Sequence, residues 1–421
     1  MNKWLNEILQ RIQKSSDSFL GYPLAKDLKY EHFAPFLNVC INNVGDPESS
    51  STLTIDTKDI ERKCINFFTR VLNGTPENVW GYITNGGTEG NLYALYVARE
   101  AFPDATVYYS ESTHYSVKKN LHLLRIPNIV IRSQENGEMD YEDLANSILS
   151  RRDRACIFFL NIGTTMTEAV DQLDEIKKII KKFALKNYYI HCDAAFAGAF
   201  APFLDNGPKF DFAQGVDSIS ISGHKFLGSP IPCGIVLTRR QHRNRVANSI
   251  SYVDTMDTTI TGSRNGLTPL FIWDFITRNG LDGFIERTKK CQDLAEYTVN
   301  ELKAIGIEAW RNPNALTVVF PKPSQEIINK FQLASDESIS HVICVPGISK
   351  DQIDELVSYL FNNKQKEKIN EINLTDLQKT LNKQNPFYTF KKINDSKFEF
   401  IYRVDLHVTI NSGRFILVKA E

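Results

Sequence analysis

The first apolar pattern in the chain has a helical period. Trp4, Leu5, Ile8, Leu9 and Ile12 fall one to four residues apart on one face, which predicts an amphipathic N-terminal helix. A stripe of this kind can lie on a membrane, but packing on a partner subunit is its commoner use. From about residue 55 to 240, short apolar runs alternate with helical patterns. Ala105–Tyr109, Ile129–Arg132, Ala155–Leu160, Tyr188–Cys192, Ser218–Ser222 and Gly234–Thr238 predict strands. Ile60–Leu72, Asn91–Ala101, Tyr141–Leu149 and Leu173–Phe183 predict helices between them. This alternation implies a mostly parallel sheet covered on both faces, with its sites at the carboxyl ends of the strands.

Past Pro269 the pattern changes. Leu281–Ile305 reads as a long helix, Ile307–Trp310, Leu316–Phe320 and His341–Val345 as strands, and Ile348–Phe361 as a helix. A smaller α+β domain is expected there. Lys364–Lys368 forms a charged break, beyond which Phe398–Ile410 and Arg414–Lys419 look strand-like and suggest a hairpin-bearing module. The expected organisation is an N-terminal segment over 1–54, a large domain over 55–270, a small C-terminal domain over 271–363 and an appended module over 364–421.

Composition narrows the function classes. Of 421 residues, 42% are hydrophobic and 24% charged, ordinary values for a globular protein with a core. A net charge of -1 gives no electrostatic argument for nucleic acid or an anionic membrane. The seven cysteines include no CxxC pair, which argues against a disulfide framework or zinc ribbon. No metal is expected, and a reducing cytoplasm fits. Met1 to Phe19 lacks the continuous apolar core of a signal peptide. No apolar stretch approaches the roughly 20 residues that span a bilayer.

Four segments carry candidate chemistry, each at a predicted strand end or helix start. Thr84 to Asn91 (TNGGTEGN) leads into a helix; paired glycines and a helix N-terminus suit an anion, with Thr88 as a further donor. The bland alternative is an ordinary turn with Thr88 as the helix cap. His114 stands in Ser112 to Ser116, where a lone histidine has no meaning without the other segments. Asp193 follows an apolar strand in His191 to Ala195. A buried aspartate there needs a partner, which a protonated pyridine nitrogen would supply, and the small Ala194 and Ala195 would admit a flat ring. Lys225 follows the break at Gly223, where a strand-end lysine can lose its proton and act as a nucleophile. An N-cap aspartate and an exposed lysine are the bland readings of the last two. Together the four segments meet the needs of pyridoxal 5′-phosphate: a phosphate cradle, a ring-facing histidine, an aspartate for the ring nitrogen and a Schiff-base lysine.

Their order and spacing resemble the group II pyridoxal-phosphate decarboxylases of the aspartate-aminotransferase fold, over roughly residues 20 to 362. Within that group the chain is most similar to the bacterial pyridoxal-phosphate histidine decarboxylases, with plant serine decarboxylases next. Further matching segments are Gly21–Pro23, Ile41–Asn43, Asn161–Thr165, Gly228–Val236, Thr259–Gly266 and Ala309–Asn312. The resemblance implies a fold type I α/β architecture, in which Lys225 carries the cofactor as a Schiff base and His114 stacks on its ring. It implies that Asp193 pairs with the ring nitrogen, Ala195 lies against the ring, and Gly87, Thr88, Ser222 and His224 hold the phosphate. Tyr22 and Asn42 fall in the segment that lies on the substrate side. A homodimer with its site at the subunit boundary is also implied.

The expected reaction is decarboxylation of an L-amino acid to its amine, with L-histidine first and serine (giving ethanolamine) or another small polar amino acid second. An aminotransferase would share cofactor and fold but must keep the α-carboxylate, usually on an arginine; Arg264 and Arg311 are available. Leu267 stands where the resembling histidine and serine enzymes place a histidine, and His341–Pro346 looks more like the serine enzymes. Residues 364 to 421 match neither group.

Overall fold

The computed structural model describes residues 2–250, 255–364, 388–394, 397–402, 406–411 and 414–419. The chain divides into two compact units, Met1–Val357 and Ser358–Glu421.

The first unit is built on a seven-stranded sheet. Its strands are β1 (Val79–Thr84), β2 (Thr106–Ser110), β3 (Asn128–Ile131), β4 (Cys156–Asn161), β5 (Tyr188–Asp193), β6 (Ser218–Ser222) and β7 (Gly234–Arg239), in the spatial order β1-β7-β6-β5-β4-β2-β3. The neighbours from β3 to β6 pair in parallel, and β7 runs antiparallel to both β6 and β1. The helices α2 (Lys58–Val71), α3 (Gly87–Ala101), α4 (Ser116–Leu124), α5 (Tyr141–Leu149) and α6 (Leu173–Lys182) connect and cover the strands, after an N-terminal α1 (Lys3–Ser18). The predicted α/β architecture and most of its elements stand within a residue or two of their expected places.

All the strands except the edge strand β3 are buried on both faces almost throughout, which is why β2, β4 and β7 read as largely apolar runs. On one face, residues two apart pack as a set: Trp80 with Tyr82, Val107 with Tyr109 and Ile157 with Phe159, against Val97, Ala98, Val117 and Leu121 of α3 and α4. The strand β1 and the helix α4 were not expected. Gly81 interrupts the apolar run of β1, yet it is required there, because a side chain would strike the backbone of Val236 in β7. The predicted strand Ile307–Trp310 is absent; only Trp310 makes a single bridge, to Val319.

After α7 (Arg240–Arg243) and the short pair β8 (Asn248–Ile250) and β9 (Thr255–Asp257) comes α8 (Leu267–Ala304). Gly280, at φ 58° and ψ -174°, breaks α8 into two helices, so the predicted helix from Leu281 is its second half. A small antiparallel sheet follows, of β10 (Thr317–Pro321), β11 (Ala334–Ser335) and β12 (Ile339–Ile343), with α9 (Gln325–Phe331) between its strands and α10 (350–364) after them.

In the second unit, β13 (Tyr388–Asn394), β14 (Lys397–Tyr402), β15 (Leu406–Asn411) and β16 (Arg414–Lys419) form an antiparallel meander in chain order. The predicted run Phe398–Ile410 is two strands, and β13 was not expected.

Candidate active site

The ends of five strands meet along one edge of the large sheet. The register sets Asn161 beside Asp193, Asp193 beside Ser220, and Gly234 beside both Ser222 and Thr84. The turns leaving this edge carry most of the residues singled out in the sequence.

Asp193 closes β5 and is 6% exposed. Its Oδ1 accepts the Ala195 N–H at 3.0 Å and its Oδ2 accepts the Asn91 side-chain amide at 2.7 Å. Both donors are neutral, and no basic side chain among the described residues forms an ion pair with it. Asn91 lies one turn into α3, on the same side as Gly87. Its Oδ1 in turn lies 3.0 Å from His191 Nε2, and His191 Nδ1 lies 2.8 Å from Ser218 Oγ.

Gly87 opens α3. A Cβ there would stand 2.8 Å from Ser222 Oγ and 3.4 Å from the Ala195 Cβ, so these three residues converge, and a side chain at 87 would force the Ser222 hydroxyl to shift. Ser222 N–H donates to Ala195 O at 2.9 Å, which fixes the pair. Gly86 precedes the helix at φ 149°, and no side chain caps its N-terminus. Glu89 N–H and Gly90 N–H already donate to Gly86 O at 3.1 and 3.2 Å, so it is the Gly87 and Thr88 amides that, with the Ser222 hydroxyl, form a donor set suited to a phosphate. Thr88 lies exposed in the first turn and is not the helix cap. His224 Nδ1 lies 2.9 Å from Cys233 O. The next residue, Gly234, lies directly against Gly86, since a Cβ there would stand 2.9 Å from the Gly86 carbonyl carbon.

Lys225 sits in the turn after β6, half-buried. Desolvation lowers its pKa against the opposing charges of Asp193 and Glu168, which favours a neutral amine. His114 lies between β2 and α4. The Ser116 N–H donates to its Nδ1 at 3.3 Å, and Ser116 Oγ is 2.8 Å from the same atom, so Nδ1 accepts and Nε2 carries the hydrogen. Burial lowers its pKa; Asp193 opposes this, while Lys225 and Lys119 reinforce it.

The N-terminal segment passes the same turn, with Ala25 N–H donating to Lys225 O at 3.3 Å. Tyr22, three residues earlier, is exposed. Asn42 is held elsewhere: its amide donates to Ser263 Oγ at 3.1 Å and accepts the Arg264 N–H at 3.1 Å. Neither Tyr22 nor Asn42 is hydrogen-bonded to Lys225, Asp193 or His114.

Sequence reasoning missed three members of the site. Asn91 and His191 stood inside quoted segments without a role. The signal was periodicity: Asn91 is four residues from Gly87 on a helix, and His191 is two from Asp193 on a strand. Glu168 carried no such signal. It follows β4 at φ 54°, is buried, and acts electrostatically on Lys225. Burial pushes its carboxyl up to about 7, although Thr317 and Leu316 donate hydrogen bonds to it.

These residues fit pyridoxal phosphate. A buried carboxylate held only by neutral donors suits a cationic ring N–H, an uncapped helix start with a hydroxyl suits a phosphate, and a lysine of depressed pKa suits an aldehyde.

The arrangement is that of a pyridoxal-phosphate-dependent carboxy-lyase. Residues 57–320 match the pyridoxal-dependent decarboxylase conserved domain, and the chain belongs to that family. It is 44% identical to a histidine decarboxylase of Mesorhizobium japonicum over 86% of this chain and 97% of that protein. It is 43% identical to a histidine decarboxylase of Morganella morganii over 80% of this chain and 90% of that one. Among solved structures, the L-methionine decarboxylase of Streptomyces sp. 590 matches with a TM-score of 0.79 at 26% identity, covering 85% of this chain and 94% of that chain. The fold type I expectation is met.

Proposed function

We propose that this protein decarboxylates L-histidine to histamine, with Lys225, Asp193 and His114 as the catalytic residues. The observation that carries the substrate assignment is the likeness to histidine decarboxylases along nearly their whole length. When bound, pyridoxal phosphate supplies the electron sink for the pair left on Cα as the carboxylate departs as carbon dioxide. Asp193 holds a proton at the ring nitrogen, which deepens that sink. Lys225 would hold the cofactor through its aldehyde carbon, the position that the substrate amine also requires. His114 would cover the ring, Ala195 would back it, and Gly87, Thr88, Ser222 and His224 would hold the phosphate. Tyr22 serves the substrate side. Asn42 acts there only through the 263–264 segment to which it is bonded.

One observation weighs against the aminotransferase reading. Arg264 is buried in an ion pair with Glu61 and also donates to Gly45 O at 2.8 Å, so it offers no clamp for an α-carboxylate. Serine remains the second substrate in view.

The assembly we favour is a homodimer. The exposed stripe of Trp4, Leu5, Ile8, Leu9 and Ile12 on α1, a helix with no buried residue, supports it. The cytoplasm is the favoured compartment, supported by seven cysteines that are all free.

The test is a panel of amino acids with the holoenzyme, assayed for carbon dioxide, amine and keto acid. Histamine and carbon dioxide from L-histidine, above any other substrate, are expected. Keto acid, or a preference for serine, would overturn the assignment.

A further inference from the structure

We propose that Asn91 and His191 are positioning residues that aim the Asp193 carboxylate at the cofactor's ring nitrogen. The inference rests on the reading that Asp193 meets that nitrogen.

The hydrogen-bond directions follow from the acceptor at one end. An ionised carboxylate can only accept, so Asn91 must present its NH2 group to Asp193 Oδ2, 2.7 Å away. That leaves Asn91 Oδ1 toward His191 Nε2 at 3.0 Å, and a carbonyl oxygen can only accept. His191 Nε2 therefore carries the hydrogen, and Nδ1 accepts the Ser218 hydroxyl at 2.8 Å. Turning the Asn91 amide over would set its oxygen against the carboxylate and its NH2 against the His191 N–H. The chain from Ser218 through His191 and Asn91 to Asp193 thus has one consistent polarity.

Nothing in the chain is open to water. Asn91, His191 and Ser218 are all buried, so no solvent molecule replaces a lost donor. Burial also lowers the His191 pKa to about 3, which keeps the ring neutral. The two Asp193 oxygens are then held from α3 on one side and from the Ala195 amide on the other, with lone pairs left for the ring N–H.

The test compares His191→Leu, His191→Gln, Asn91→Leu and Asp193→Asn, each prepared as apoprotein and titrated with pyridoxal phosphate. His191→Leu and Asn91→Leu should weaken cofactor affinity by about tenfold or more and alter the bound cofactor's visible spectrum. His191→Gln, which restores an N–H donor, should recover most of both. Unchanged affinity and spectrum in the two leucine variants would overturn the proposal. So would a glutamine variant as impaired as the leucine one, since packing and not the N–H would then matter. Asp193→Asn separates the two ideas: if it binds and absorbs like wild type, the underlying reading of Asp193 has failed. A measurement on the unmodified holoenzyme guards against misfolded variants. Nitrogen-15 spectra of labelled histidine should show His191 neutral with hydrogen on Nε2; hydrogen on Nδ1, or on both nitrogens, would contradict the proposal.

Discussion

Glu168 is bonded to Thr317 through two donors on one residue: its Oε2 accepts the Thr317 N–H at 2.8 Å and the Thr317 hydroxyl at 2.6 Å. The loop after β4 is thereby tied to the first residue of β10. The link is buried, and the glutamate adopts a left-handed φ of 54°, a conformation that favours glycine.

The burial of this carboxyl, which outweighs the Thr317 bonds, makes stability depend on pH in a definite direction. Burial raises the Glu168 carboxyl from 4.5 to about 7. Between those values the folded protein keeps a proton that the unfolded chain has released, so the group's contribution is complete below pH 4.5 and is lost as pH rises through about 7. Relative to Glu168→Gln, the wild type should lose up to about 3 kcal/mol of stability over that window. Urea unfolding of both proteins at several pH values measures it. Parallel curves would show that Glu168 does not titrate there.

Arg264 and Glu61 form a buried pair that also receives the Asn43 amide at 3.0 Å and the Ile83 N–H at 2.8 Å. Arg264→Leu leaves the Glu61 charge without its partner and should cost about 3–5 kcal/mol of stability. The double variant Glu61→Gln with Arg264→Leu should regain part of that loss. Denaturation midpoints decide it. An Arg264→Leu protein that folds with wild-type stability but binds substrate poorly would place Arg264 in the site after all.

Gly87→Ala would put a methyl group 2.8 Å from Ser222 Oγ at the helix start assigned to the phosphate. Pyridoxal-phosphate affinity should fall about tenfold. Apoprotein titration checks this, with thermal stability as the control. Unimpaired binding would remove Gly87 from the cradle.

How much was legible in the sequence depended on which interactions leave a local pattern. Strand and helix periods did so, and β4 to β7 were read nearly to the residue. Gly81 hid β1, because the close approach of β7 that requires it is a tertiary fact. Gly280 separated the two halves of α8 for a different reason: its positive φ breaks the helix, with no neighbour crowding it. The motifs around Asp193, Ser222 and Lys225 were legible because each sits where a strand ends and polar residues begin. The orientation of Asn91 was not, since it depends on residues 100 and 102 positions away. Glu168 was invisible because its partners lie in β10 and the residue before it, 148 and 149 positions further on.

In the proposed site, Lys225 holds the cofactor beside Asp193. Borohydride reduction of the holoenzyme, followed by digestion and peptide mass spectrometry, tests it most directly. One phosphopyridoxyl group per chain is expected, on Lys225, and none at that position in Lys225→Ala, which should also lose the visible absorption of the bound cofactor. A group fixed to another lysine in the wild type, or an unchanged visible band in Lys225→Ala, would contradict it.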